Sequence, residues 1–207
     1  MANPAETDTT KTETILLGWN GTSFRHYVMD SSTRAFTTID HGHHEIHAGN
    51  SYSRINTVEI PINNVYDVQV ITPNTAKLCH LFFNFDVESE TNWYLYRGVT
   101  VTTTGTLLTS FNADHNSTNV AGLKLYGIAN GSVADANADT HTTASTLVYS
   151  GIIGAKGSCG SYDHQHEIIL KKNTIYSFRF LANAAGYVNK HFDWYEHTNN
   201  GETGDMW

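Results

Sequence analysis

The segment KLCHLFFNFDVES, residues 77–89, constrains the fold more than any other part of the chain. Cys79, Leu81, Phe83, Phe85 and Val87 fall on one side of a period-two pattern, and His80, Asn84, Asp86 and Glu88 fall on the other. Successive side chains of a strand point to opposite faces, so the pattern predicts a half-buried strand over a core. A helix would scatter the same apolar groups around its circumference. Shorter instances recur. In INTVEIPI, Val58, Ile60 and Ile62 oppose Thr57 and Glu59; in YDVQVI, Tyr66, Val68 and Val70 oppose Asp67 and Gln69. NWYLYRGVTV, AGLKLYGI, STLVYSGII, HEIILKK, IYSFRFLA and NKHFDWYEH add strand candidates, most of them divided by turn-rich spacers such as ESET, TTTGT and KKNT.

Strands at this density without helical intervals predict an all-β fold, an antiparallel β-sandwich. Two long connections, around residues 110–120 and 129–145, favour a Greek-key or jelly-roll winding over a meander. The polar, Thr-rich residues 1–14 have little to bury and read as an arm. The turn signals WNGT and DSSTR then divide short strand-like pieces. The expected organisation is residues 1–38 as an N-terminal arm with a small β-hairpin, and residues 39–207 as the sandwich, jelly-roll-like domain.

A chain of 207 residues can bury a core without disulfides. Cys79 and Cys159 show neither a CxxC nor a zinc spacing, and read as a buried thiol and a loop cysteine. A formal net charge of -8 opposes binding to phosphate backbones. No apolar run is long enough to cross a bilayer, and MANPAETDTTKTET lacks the basic and apolar segments of a signal peptide. The expectation is synthesis in a cytoplasm, with no nucleic-acid or membrane partner.

The stretch DHGHHEIHAGNSY raises the question of a metal. Taken as a strand, it would put His41, His43, Glu45 and His47 on one face, with a second pair, His164 and His166, in YDHQHEIILKK. Three or four such ligands suffice for zinc. The pattern nevertheless departs from the cupin metal motif, in which a glutamate follows the His-x-His pair at a longer interval. Histidines that hydrogen-bond within strands or line an interface are the preferred reading, with no cofactor expected. Asp114, Asp135, Asp139 and Asp163 lack the ligand spacing of a calcium loop. No G-x-S-x-G elbow or phosphate-binding loop appears, so no enzyme activity is expected. Trp93, Tyr94 and Tyr96, or Trp194 and Tyr195, could stack on sugars, but alternation places both indoles with core residues.

Several landmarks follow in order: HHEIHAGNSY, ITPNTAKLCHLFFNFDVESETNWYLYRG, GTLLTSFNADHNSTNVAGLKLY, HEIILKKNTIYSFRFLANA and FDWYEHT. This succession, over residues 38–198, resembles a family of tailed-bacteriophage virion structural proteins. Upstream, GWNGTSFRHYVMDSSTRA is similar to segments that open several phage structural proteins, although Thr33 stands where a glycine is usual. The resemblance implies a capsid decoration (cement) protein, a homotrimer on the exterior of the virion head, with the major capsid protein as partner and assembly in the bacterial host cytoplasm. It carries no catalytic residues. Trp19, Phe24, Arg25, Tyr27 and Arg34 are the candidate interface residues. The alternatives are a glycan- or receptor-binding head fibre and a cupin-like metal-binding protein.

Overall fold

The computed structural model describes residues 17–19, 24–26, 41–132, 145–155 and 159–198. The chain divides into two units, Met1–Asp40 with Asn200–Trp207, and His41–Asn199. In the first, β1 (Leu17–Trp19) pairs antiparallel with β2 (Phe24–His26).

The second unit opens with α1 (His41–His47). There follow β3 (Ser51–Ile60), β4 (Asn64–Ile71), β5 (Lys77–Val87), β6 (Thr91–Arg97), β7 (Thr106–Leu108) and β8 (Phe111–Asn112). Next come β9 (Lys124–Ser132), β10 (Thr146–Ile153), β11 (Gly160–Leu170), β12 (Ile175–Ala182) and β13 (Gly186–Thr198). The strands form two antiparallel sheets packed face to face, a six-stranded one ordered β10-β6-β12-β4-β9-β7 and a five-stranded one ordered β11-β5-β13-β3-β8. The all-β sandwich expected from the alternation is therefore present.

The winding is regular. β3, β4, β5 and β6 pair with β13, β12, β11 and β10 respectively, so the first half of the unit is zipped in reverse order to the second. Within β3–β6 and within β10–β13, successive strands alternate between the sheets. β7, β8 and β9 extend the sheets on the side away from β10 and β11.

Each strand buries its apolar face in the space between the sheets. Cys79, Leu81, Phe83, Phe85 and Val87 line one wall, as their spacing predicts, and Val68, Val70, Leu95, Phe178 and Phe180 line the other. Trp93 and Trp194 are both 1% exposed, which assigns the two indoles to this core and removes them as a sugar platform. Ile62 leaves the expected pattern and is 56% exposed, because β3 ends at Ile60 and the chain turns through Asn63 at a φ of 60°.

The polar faces are less solvated than alternation alone predicts. Asp67 is buried because Arg179, directly opposite on β12, binds both its carboxylate oxygens at 3.0 Å. Gln69 is buried beneath the segment after β6, donating to the Thr103 carbonyl and accepting from the Gly105 amide. Both polar groups keep their hydrogen bonds, which is the condition for burying them.

One inward position breaks the apolar rule. Lys190 on β13 is fully buried, donates to the Val188 carbonyl at 3.0 Å, and holds its ammonium 4.6 Å from the Tyr66 ring centroid. Burial pushes its pKa from 10.5 down to about 7. Between those values the unfolded chain holds a proton that the folded chain lacks, so stability rises with pH across that window. Cys79 acts oppositely at higher pH, because burial holds its thiol protonated to about 12 when the unfolded thiol titrates near 9.0. Urea unfolding at pH 7, 8 and 9 should show stability climbing by up to about 1.4 kcal/mol per pH unit. In Lys190→Met, which fills a similar volume, that climb is expected to vanish.

Candidate functional site

The histidine-rich opening stretch is a helix, not the strand expected from its alternation. Gly49 takes a left-handed φ of 68°, and the Gly49 and Asn50 amides bond back to the Ile46 and Glu45 carbonyls at 2.9 Å. This glycine stop closes the helix. Helical spacing splits the expected face. His43 and His47, four residues apart and exposed, bring their Nε2 atoms to 2.9 Å of each other. Glu45 turns inward, buried, and accepts from Asn50 Nδ2 at 3.0 Å. His41 opens the helix.

His164 and His166 lie on β11, which pairs with β5, whereas α1 packs on β13 and β3. The two expected His pairs thus occupy different parts of the fold. His166 is exposed, and His164 stacks on Phe83 at 4.7 Å and 3°, with the Tyr162 hydroxyl 3.1 Å from its Nδ1. Burial, followed by the neighbouring charge of His166, pushes the His164 pKa down. Among the described residues, no group of three or more His, Cys, Asp and Glu converges on a metal position. Asp114 instead shapes a turn, accepting from the Asn116 amide at 2.9 Å. Asp135 and Asp139 lie outside the described residues, as do Tyr27 and Arg34. Trp19 and Phe24 are register partners in the β1–β2 pair, and Arg25 is opposite Gly18.

The densest polar constellation lies elsewhere, on the outer face of the five-stranded sheet. Register places Tyr195 of β13 opposite His80 of β5, with His197 one diagonal step away. On β11 the register with β5 jumps between His164 and Ile168, so residues 165–167 bulge against a single partner position. The bulge brings Glu167 over His80. A chain of hydrogen bonds results: the Tyr195 hydroxyl donates to Glu167 Oε2 at 2.6 Å, and Glu167 Oε1 lies 2.6 Å from His80 Nδ1. His80 Nε2 then faces His197 Nε2 at 2.8 Å.

An ionised carboxylate only accepts, so His80 Nδ1 carries a hydrogen; with both rings neutral, His80 Nε2 presents a lone pair to which His197 Nε2 donates. The His80 ring is buried and stacks on Tyr195 at 4.6 Å and 13°. Glu196, one residue on, faces the other way. It is buried and accepts from the Gly122 and Leu123 amides and from Trp194 Nε1, so its role is to clamp the loop before β9. A Cβ at position 122 would come within 2.8 Å of that carboxylate, which explains the glycine there.

Beside the chain, the bulge leaves a cleft of about 570 Å³ lined by Phe82, Phe83, Asn84, Asp163, His164 and Asp193. Its wall carries a buried imidazole nitrogen, His164 Nε2, with no hydrogen-bond partner among the described residues. Asp193 is bound by His191 at 3.1 Å, and burial raises its pKa despite that neighbour.

The sequence reading placed His80 correctly on the polar face of β5 but treated that face as solvated. It missed the partnership with Glu167, Tyr195 and His197. The available signal was one polar ring in an otherwise aromatic and apolar stretch, with a second histidine inside WYEH.

No family model, no curated protein and no solved structure matches this chain.

Removing the carboxylate from this chain should leave the His80 Nδ1–H and the Tyr195 hydroxyl without their acceptor. Glu167→Ala is expected to lower stability by about 1–2 kcal/mol, the usual cost of stranding buried donors at a site that retains some solvent access. Urea denaturation of the folded variant measures it; an unchanged midpoint would show that the chain contributes nothing.

Proposed function

We propose that this protein is a capsid decoration (cement) protein that binds the exterior of an assembled bacteriophage head as a homotrimer and stabilises the lattice without catalysing a reaction. The resemblance of its landmark segments supplies the class. Support for a jelly-roll reading of the sandwich comes from the reverse-order pairing of β3 to β6 with β13 to β10.

One observation carries the self-association. Among the described residues β10 forms the end of its sheet and pairs with β6 alone, yet Leu147, Val148, Tyr149 and Ile152 on it are all exposed, Ile152 at 69%. A long apolar edge strand with open backbone donors and acceptors is a template for another chain. Ile169 on β11, the adjoining end of the other sheet, is exposed as well. At the opposite ends of the sheets, β7 exposes Leu107 and β8 exposes Phe111. Two different apolar sides on one subunit suit head-to-tail contacts, which close into a ring when the rotation is a simple fraction of a turn. A threefold ring offers three equal contacts to a threefold capsid position and gains avidity from them. Because it binds only the assembled shell, it stabilises that shell by mass action. Residues before 39 would reach the major capsid protein, with Trp19, Phe24 and Arg25 as candidate contacts.

The cleft beside Phe82 favours a second reading, a glycan- or receptor-binding head fibre. An aromatic ring can cover a sugar face while Asn84, Asp163 and Asp193 reach its hydroxyls. Glycan-array binding lost in Asp163→Ala would favour it.

The wild-type chain is expected to run as a trimer in native mass spectrometry and to rebind capsids stripped of it. Val148→Lys with Ile152→Lys should give a folded monomer, with association weakened at least about 100-fold by charges buried without partners. A wild-type monomer that fails to rebind stripped capsids overturns the proposal.

A further inference from the structure

We propose that His80 and His197 form a two-imidazole site for a late first-row divalent metal ion such as Zn2+, with Glu167 as the carboxylate behind it. This inference stands apart from the capsid reading. It rests on the arrangement of three side chains drawn from β5, β11 and β13.

The two Nε2 atoms already converge, 2.8 Å apart, from adjacent strands. Zinc binds imidazole nitrogen at about 2.0–2.1 Å, and a tetrahedral angle between two such bonds needs nitrogens roughly 3.3 Å apart. The rings therefore have to part by only about 0.5 Å. His197 is half-buried, whereas His80 is buried and fixed, so the movement falls to His197. On binding, the proton on His197 Nε2 transfers through solvent to its Nδ1, and both Nε2 lone pairs then face the ion without net change of charge on the rings.

What distinguishes this pair is the group behind it. Metal-ligating histidines almost always donate their other ring N–H to a carboxylate, a carbonyl or a water, which fixes the tautomer and raises ligand basicity. His80 Nδ1 lies 2.6 Å from Glu167 Oε1. The carboxylate is itself held by the Tyr195 hydroxyl at 2.6 Å, and the His80 ring is stacked on Tyr195. The lone pair of His80 is thus aimed before any ion arrives. Among the described residues no third His, Cys, Asp or Glu completes the site. Water fills the remaining positions, and the expected dissociation constant is on the order of micromolar, weaker than four-ligand structural sites.

The exposed His43–His47 pair has a similar nitrogen spacing, 2.9 Å, and serves as the internal control. Zn2+ titration by calorimetry, on the full untagged chain carrying His43→Ala and His47→Ala, should give one ion per chain. Adding His197→Ala should weaken binding at least about 30-fold, and adding Glu167→Gln instead should weaken it about 10-fold or more. Circular dichroism keeps the comparison to folded protein, and the partly exposed His197 gives a variant that spares the buried His80. Saturating Zn2+ should also raise the melting temperature of the background chain and leave that of the His197→Ala chain unmoved. If the background chain takes up no Zn2+ at about 100-fold the expected micromolar constant, or binds it as tightly after His197→Ala, the site does not exist.

Discussion

Six aromatic rings converging on Phe85 hold this fold together. Phe85 touches Phe83 on its own strand, Trp93 on β6, Tyr162 on β11, Phe178 and Phe180 on β12, and Phe192 on β13. Those partners come from both sheets, so a single side chain ties together the strands that the reverse-order pairing brings opposite one another. Edge-to-face contacts from Phe85 to Trp93, Phe178 and Phe180 join the two sheets, the geometry favoured by aromatic quadrupoles. Because each strand must deliver its apolar face to this cluster, register is not free: a slip of one residue would send every core side chain to solvent.

Fixing the inner face also fixes the outer one, and the polar chemistry follows. With Leu81 and Trp194 committed inward as register partners, His80 and Tyr195 must emerge together on the far side. The bulge in β11 then supplies Glu167, which regular pairing would not have placed there. The hydrogen-bonded chain is in this sense a by-product of core packing, made specific by two extra residues in one strand. Lys190 shows the opposite case. Its place in the alternation sends an amine into the core, and the aromatic faces of Tyr66 and Phe180 with one carbonyl are its only compensation among the contacts described for it.

The legible parts of the molecule were those governed by local periodicity. Cys79 to Val87, Trp93 with Leu95, and Phe192 with Trp194 all face the core as their spacing requires. The opening histidines were misread because a short polar stretch satisfies both periods. His-x-His suits a strand, while His43 and His47 suit a helix equally well, and the deciding signal was the glycine at position 49 rather than the histidines themselves. Alternation sets Asp67 and Gln69 opposite the apolar face, and nothing local reveals that Arg179 and the segment around Thr103 cover them.

By itself, then, the amino-acid order determined that the chain would be β, that the alternating residues from Cys79 to Val87 would be hidden, and that two indoles belonged inside. Alternation is a property of neighbours, and neighbours are visible in a line of letters. Only the tertiary structure decided that His80, Glu167 and His197 would meet, because they are 87 and 117 residues apart from His80 and are joined by strand pairing across the sheet. Pairing between distant strands depends on how the whole core closes, and no local pattern encodes it.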